Sequence, residues 1–244
     1  MADMTPRAIV ALDVPSAERA LSLVDRLGDA CDFVKVGSEL FTAAGPSVVQ
    51  SLRDGGRDVF LDIKLHDIPN TVRGAARSAA ALGARLLTVH ASGGRAMVEA
   101  AVEGAGEGCG VLAVTVLTSL DAQALGAAWG RTVDDVMAEV LRLAEVARAA
   151  GAHGIVCSGA EAAGVHARFG DALRILVPGI RLPGGSAHDQ RRVVTPEGAV
   201  RAGASYLVLG RAVTEASDPA AALRAIKGSA LRASKASGAL ASDV

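Results

Sequence analysis

Short apolar runs punctuate this chain at intervals. They fall at residues 8–12, 33–36, 59–63, 86–89, 111–116, 154–157, 173–177 and 206–209, and are dominated by Val, Ile and Leu. Their length suits buried strands, and β-branched residues favour that pleated state. Between them lie Ala-rich stretches in which apolar residues recur every three to four positions, as at 17–27, 71–82, 96–102 and 136–149. That spacing predicts amphipathic helices. Eight alternations of strand and helix predict an α/β protein, specifically a (β/α)8 TIM barrel in a single domain, with a doubly wound open sheet as the alternative. The connection from 116 to 151 is longer than the rest and predicts an added helical turn near 121–127. Residues 181–192 carry Pro183, Gly184 and Gly185 and read as a loop after the seventh strand. The barrel is expected over residues 1–227, with 228–244 an Ala/Ser-rich, poorly ordered tail.

Composition narrows the partners. A length of 244 residues fits a barrel, since this fold needs about 250 in one domain. Formal net charge is −1, which gives no electrostatic case for nucleic acid or an anionic membrane surface. Aromatic residues make up 2%, too few for a base-stacking platform. Any nucleobase must therefore be held by backbone amides and small polar side chains. Cys31, Cys109 and Cys157 are odd in number, far apart and without a CxxC pair, so a reducing cytoplasm fits best. No signal peptide is expected, because Asp13 ends the first apolar run, and no run reaches membrane-spanning length.

Chemistry concentrates at residues 60–71, where Asp62, Lys64 and Asp67 sit at the end of the third apolar run. Residues two apart on a strand share a face, so Asp62 and Lys64 point the same way. Charges on an apolar strand persist when they pair, work, or both. Other strand ends are polar too: Asp13 on the first, His90 on the fourth, Thr118 and Ser119 after the fifth. Lys35 lies within the second strand between Val34 and Val36. In barrels of this kind the C-terminal strand ends build the active site. Bland readings remain beside these. Asp13 could cap the next helix, although Ser16 is better placed, and Asp62, Lys64 and Asp67 could be a structural ion-pair network. His90 reads as a hydrogen-bonded histidine at the barrel mouth, with no partner at metal-chelating spacing.

The last two loops carry a second signal. Gly179 and Arg181 follow the seventh run, and Gly210 and Arg211 follow the eighth. Glycines admit close backbone approach, and guanidinium groups grip phosphate bidentately. Loops after strands seven and eight commonly hold phosphate in this fold. A phosphorylated substrate is expected, with the segment from Arg181 to Gln190 able to close over it.

Taken together, Asp62-x-Lys64-x-x-Asp67-Ile68-Pro69-Asn70-Thr71 resembles the signature of the orotidine 5′-phosphate decarboxylase family. The resemblance extends through Ala11-Leu12-Asp13, Val34-Lys35-Val36-Gly37, Leu117-Thr118-Ser119 and Gly210-Arg211-Ala212. Metal-using members of the superfamily carry a carboxylate where Lys35 stands, so the resemblance implies the metal-free decarboxylase, with no cofactor. It further implies the conversion of orotidine 5′-monophosphate to UMP by a cytoplasmic homodimer. Asp13 and Lys35 would bind ribose hydroxyls, Asp62 would lie beside the substrate carboxylate, and Lys64 would protonate C6. Asp67 and Thr71 would come from the neighbouring subunit. Thr118 or Ser119 would read the pyrimidine edge, while Arg181, Gln190, Gly210 and Arg211 would hold the phosphate.

That reaction suits these residues. Loss of CO2 from C6 leaves an electron pair in an sp2 orbital, out of conjugation with the ring carbonyls. Such a carbanion needs electrostatic stabilisation, which a positioned ammonium supplies. Rivals on the same barrel are a Schiff-base aldolase and a metal-dependent sugar-phosphate decarboxylase. A rival of another class is a phosphate-ligand sensor, which would need Arg181 and Arg211 but not the Asp62, Lys64 and Asp67 set.

Overall fold

The computed structural model describes residues 5–181 and 194–241. Eight parallel strands close into a barrel in chain order: β1 (Arg7–Ala11), β2 (Phe33–Gly37), β3 (Asp58–Leu65), β4 (Leu86–His90), β5 (Gly110–Val114), β6 (Gly154–Val156), β7 (Arg174–Val177) and β8 (Tyr206–Leu209). β8 returns to β1 in the register Arg7↔Tyr206 through Val10↔Leu209. The eight apolar runs are thus the eight strands, within a residue or two at each end, and the open-sheet alternative is excluded.

Helices fill the outer layer. The first half carries α1 (Ala17–Leu27), α2 (Ser38–Ala44), α3 (Ser47–Asp54), α4 (Pro69–Ala81) and α5 (Arg95–Ala105). The second carries α6 (Ala122–Trp129), α7 (Val136–Ala149), α8 (Gly159–Phe169), α9 (Pro196–Arg201), α10 (Arg211–Thr214) and α11 (Pro219–Ala241). Their starts follow local chemistry. Ser16 caps α1 by accepting the Arg19 amide, which leaves Asp13 available for the barrel mouth. Pro69 opens α4 at a position where its missing N–H costs nothing. Asp121 caps α6, the extra helix expected in the long fifth connection.

Strand periodicity divides the core in two. Ile9, Phe33, Phe60, Leu86, Leu112, Leu176 and Val208 point inward and plug the barrel. Their odd-step neighbours, among them Val10, Val34, Leu61 and Leu87, face outward and pack against the helices. The inward series continues toward the C-terminal strand ends, so the residues two beyond Phe33, Phe60 and Leu86 are Lys35, Asp62 and Thr88, all buried. The apolar plug is the floor on which the polar site stands.

One expectation changes and another falls outside the described residues. Of the segment expected as a loose tail, residues 228–241 are helical, because α11 runs to Ala241 and buries Ala230 and Ala233. Alanine-rich composition, read as low complexity, is here the close-packing face of a docked helix. The loop at 182–193, with Gln190, lies outside the described residues. Among the described residues no helix is long and apolar enough to cross a membrane.

Candidate active site

A cavity of about 520 Å³ opens at the C-terminal end of the barrel, floored by Phe60, Val114, Val156, Leu176 and Val208. Asp13, Lys35, Asp62 and Lys64 stand on one side of it. Gly179, Arg181, Gly210 and Arg211 stand around the same opening from β7 and β8. A single pocket therefore joins an apolar base, a charged flank and a pair of guanidinium-bearing loops, the mixture expected of a small-molecule site.

The charged flank alternates in sign. Asp13 Oδ1 accepts from Lys35 Nζ at 2.8 Å, Lys35 Nζ lies 3.6 Å from Asp62 Oδ2, and Lys64 Nζ donates to Asp62 Oδ1 at 2.8 Å. The middle members are deep, with side chains 10% exposed for Lys35 and 12% for Asp62. Burial alone would raise the Asp62 pKa, but attraction to Lys35 and Lys64 and hydrogen bonds from Lys64 and Thr88 hold it below the usual carboxylate value. Asp62 is thus an anion fixed beside two ammonium groups.

β3 does not continue regularly into this flank. Its register to β4 passes from Leu61↔Leu87 to Leu65↔Val89, so four steps on β3 oppose two on β4. The bulge contains Lys64, whose φ of 48° is the positive value among non-glycine described residues. A lysine in the left-handed region costs on the order of 1–3 kcal/mol and is retained where the surroundings hold it. Asp62 and Lys64 do share a face, as strand periodicity predicts, but a bulge rather than a straight strand sets their approach.

Sequence expectations for the other residues divide. Asp67 and Thr71 are exposed, and the Asp67 carboxylate accepts the Ile68 amide at 2.6 Å instead of meeting Lys64 in its own chain. Thr118 lines the cavity, whereas Ser119 is exposed and outside the lining. Arg181 is fixed through its backbone, its amide donating to Val194 O at 3.0 Å across the base of the loop. Gly179 has φ of 73°, a turn that a side chain would strain. Gly37 also has a steric reason: a Cβ there would come within 3.0 Å of Lys35 Nζ and 3.2 Å of Asp13 Oδ1.

Sequence reading missed one neighbour of Lys64. Thr88, fully buried, links Asp62 to the Lys64 backbone. Counting one inward step, two residues along β4 from Leu86, would have found it. His90, expected at the barrel mouth, lies against His66 with ring centroids 5.3 Å apart and the rings tilted by 35°. Burial lowers the His90 pKa, and the charges of His66 and Lys64 lower it further against the opposing pull of Asp62.

Comparison with known proteins points to one family. A family model described as orotidine 5′-phosphate decarboxylase / HUMPS family matches residues 6–226. The chain is 55% identical over 220 residues to an orotidine 5′-phosphate decarboxylase of Anaeromyxobacter sp. (strain K), covering 90% of this chain and 96% of that one. It is 52% identical over 225 residues to the enzyme of that name from Cutibacterium acnes, covering 91% and 94%. Its fold matches a crystal structure of orotidine 5′-phosphate decarboxylase from Lactobacillus acidophilus with a TM-score of 0.82 and 41% identity, over 92% of this chain and 98% of that chain. With most of its length matched, the chain belongs to the orotidine 5′-phosphate decarboxylase / HUMPS family.

Proposed function

We propose that this protein decarboxylates orotidine 5′-monophosphate to UMP, in pyrimidine biosynthesis, without a metal or organic cofactor. The observation that carries the reading is the alternating row Asp13, Lys35, Asp62 and Lys64 on the flank of a cavity also lined by Arg181 and Arg211. The distal phosphate is gripped by Arg181, Arg211 and the glycine turns at 179 and 210, with Gln190 contributing from the loop. Asp13 and Lys35 take the ribose hydroxyls, and Thr118 or Ser119 reads the pyrimidine edge. These contacts lie away from the reacting carbon, so their binding energy can hold the C6 carboxylate against Asp62.

The C6–carboxylate bond then breaks. Its electron pair stays on C6, and CO2 departs neutral. Lys64 lies beside Asp62 and donates a proton from Nζ to C6, forming the C–H bond of UMP; its amine later regains a proton from solvent. An ammonium already in place stabilises the developing charge without reorganisation, which is where such sites gain most. Asp67 and Thr71 of a second copy complete the site in a homodimer.

The test is direct. Purified protein in EDTA should consume orotidine 5′-monophosphate, followed by its ultraviolet absorbance, at an undiminished rate. Absence of turnover, or turnover restored only by a divalent metal, would sink this reading. Borohydride added with substrate should trap no adduct on Lys64, which separates the reaction from Schiff-base chemistry.

A further inference from the structure

We propose that Thr88 is a positioning residue for the proposed decarboxylation, its hydroxyl clasping the bulge that presents Lys64 and locking it to the Asp62 carboxylate. The hydroxyl makes two opposite hydrogen bonds. It accepts the Lys64 backbone N–H at 3.0 Å and donates to Asp62 Oδ1 at 2.9 Å, the same oxygen that receives Lys64 Nζ at 2.8 Å. One oxygen atom on β4 thereby ties together the backbone and the side-chain partner of the proton donor.

Several independent features make this hydroxyl consequential. Lys64 holds a left-handed φ of 48°, and the β3–β4 ladder is broken between Leu61 and Leu65. The Lys64 amide therefore lacks the regular ladder partner that an unbroken strand would offer, and the threonine oxygen supplies one. Thr88 is 0% exposed, so water cannot take its place without opening the barrel wall. Its donation also leaves Asp62 Oδ1 with two donors, which fixes the carboxylate plane between Lys64 and β4. A hydroxyl that accepts from one group and donates to the other enforces one arrangement of both.

The inference rests on the decarboxylase reading, and its test separates the two. Wild-type turnover of orotidine 5′-monophosphate tests that reading. Thr88→Val, nearly equal in volume but without donor or acceptor, tests the clasp. It should lose about tenfold or more in kcat with KM changed less than threefold, because a misplaced donor harms the chemical step more than the remote phosphate grip. Thr88→Ser should recover kcat to within about threefold of wild type. A smaller loss in Thr88→Val, a proportional rise in KM, or a Thr88→Ser variant as poor as Thr88→Val overturns the proposal. Should Thr88→Val not fold, Thr88→Cys fills the space with a weak donor and acceptor; its kcat should fall between those of Thr88→Ser and an inactive enzyme, and parity with wild type overturns the clasp. Amide hydrogen exchange at Lys64 is read without turnover: protection in the wild type, lost in Thr88→Val or Thr88→Cys, supports the clasp, and an unprotected wild-type amide overturns it.

Discussion

Lys64 is held in place by more than its own charge. The lysine occupies a backbone conformation with φ of 48°, and its ammonium is 2.8 Å from Asp62. Lys64→Ala should therefore lose at least ~10²-fold in kcat, the lower end of what a general acid is worth, while nucleotide binding measured by calorimetry persists. Retention of a tenth or more of kcat would remove Lys64 from the role of proton donor. Asp62 makes a separate, pH-dependent contribution to stability. Its folded pKa lies below the ordinary 3.8 because Lys35 and Lys64 outweigh the cost of burial. Its stabilising effect is then complete above pH 3.8 and fades as pH falls through the lower folded value. Urea titrations of wild type and Asp62→Asn should show the stability gap narrowing below that pH, with no narrowing between pH 5 and 8. A gap that instead collapses near neutrality would mean that another group controls it.

At the scale of elements, the strands were legible and the ends of the chain were not. Period-two alternation is a local property of each strand, so Phe33 to Lys35 and Phe60 to Asp62 could be read from sequence as inward steps. The bulge at Lys64 could not, since it depends on β4 pairing out of step with β3, a relation between segments over 20 residues apart. Thr88 shows the intermediate case: its inward direction follows from Leu86 and its place opposite Asp62 from the register Leu61↔Leu87, but its bond to the Lys64 amide lies within the bulge. The C-terminal helix escaped for a different reason. Alanine and serine carry little hydrophobic signal, yet Ser229, Ala230 and Ala233 of α11 are buried. Ser229 hydrogen-bonds Glu197 of α9, and Lys227 Nζ reaches Ala30 O at 2.8 Å at the base of the barrel. Removing residues 229–244 should therefore cost roughly 2–4 kcal/mol, given two buried alanines and a buried hydroxyl lost with their packing. Thermal unfolding should drop by several degrees, since a chain of this size shifts by about 2–4 °C per kcal/mol. An unchanged Tm would mean that the helix is expendable in solution.

For the whole molecule, the proposed homodimer turns on Asp67. Its carboxylate is exposed and accepts the neighbouring Ile68 amide, and Ile68 beside it is 68% exposed. Thr71 is exposed on the same β3–α4 corner. An exposed apolar side chain between these two polar groups is what the homodimer proposed above requires, in which a second copy would cover this corner. In an isologous dimer each copy would give and receive the same residues. Lys64→Ala and Asp67→Ala homodimers should then both be nearly inactive, because each carries its lesion in both sites. Mixing them after dissociation puts both lesions into one site of the heterodimer and leaves the other native. With random exchange from equal amounts, half the dimers are mixed and half their sites are intact, so about a quarter of wild-type activity should return. The double variant mixed with Lys64→Ala forms no native site and should remain silent. If mass spectrometry verifies exchange and no activity returns, Asp67 serves its own chain and the shared site is wrong.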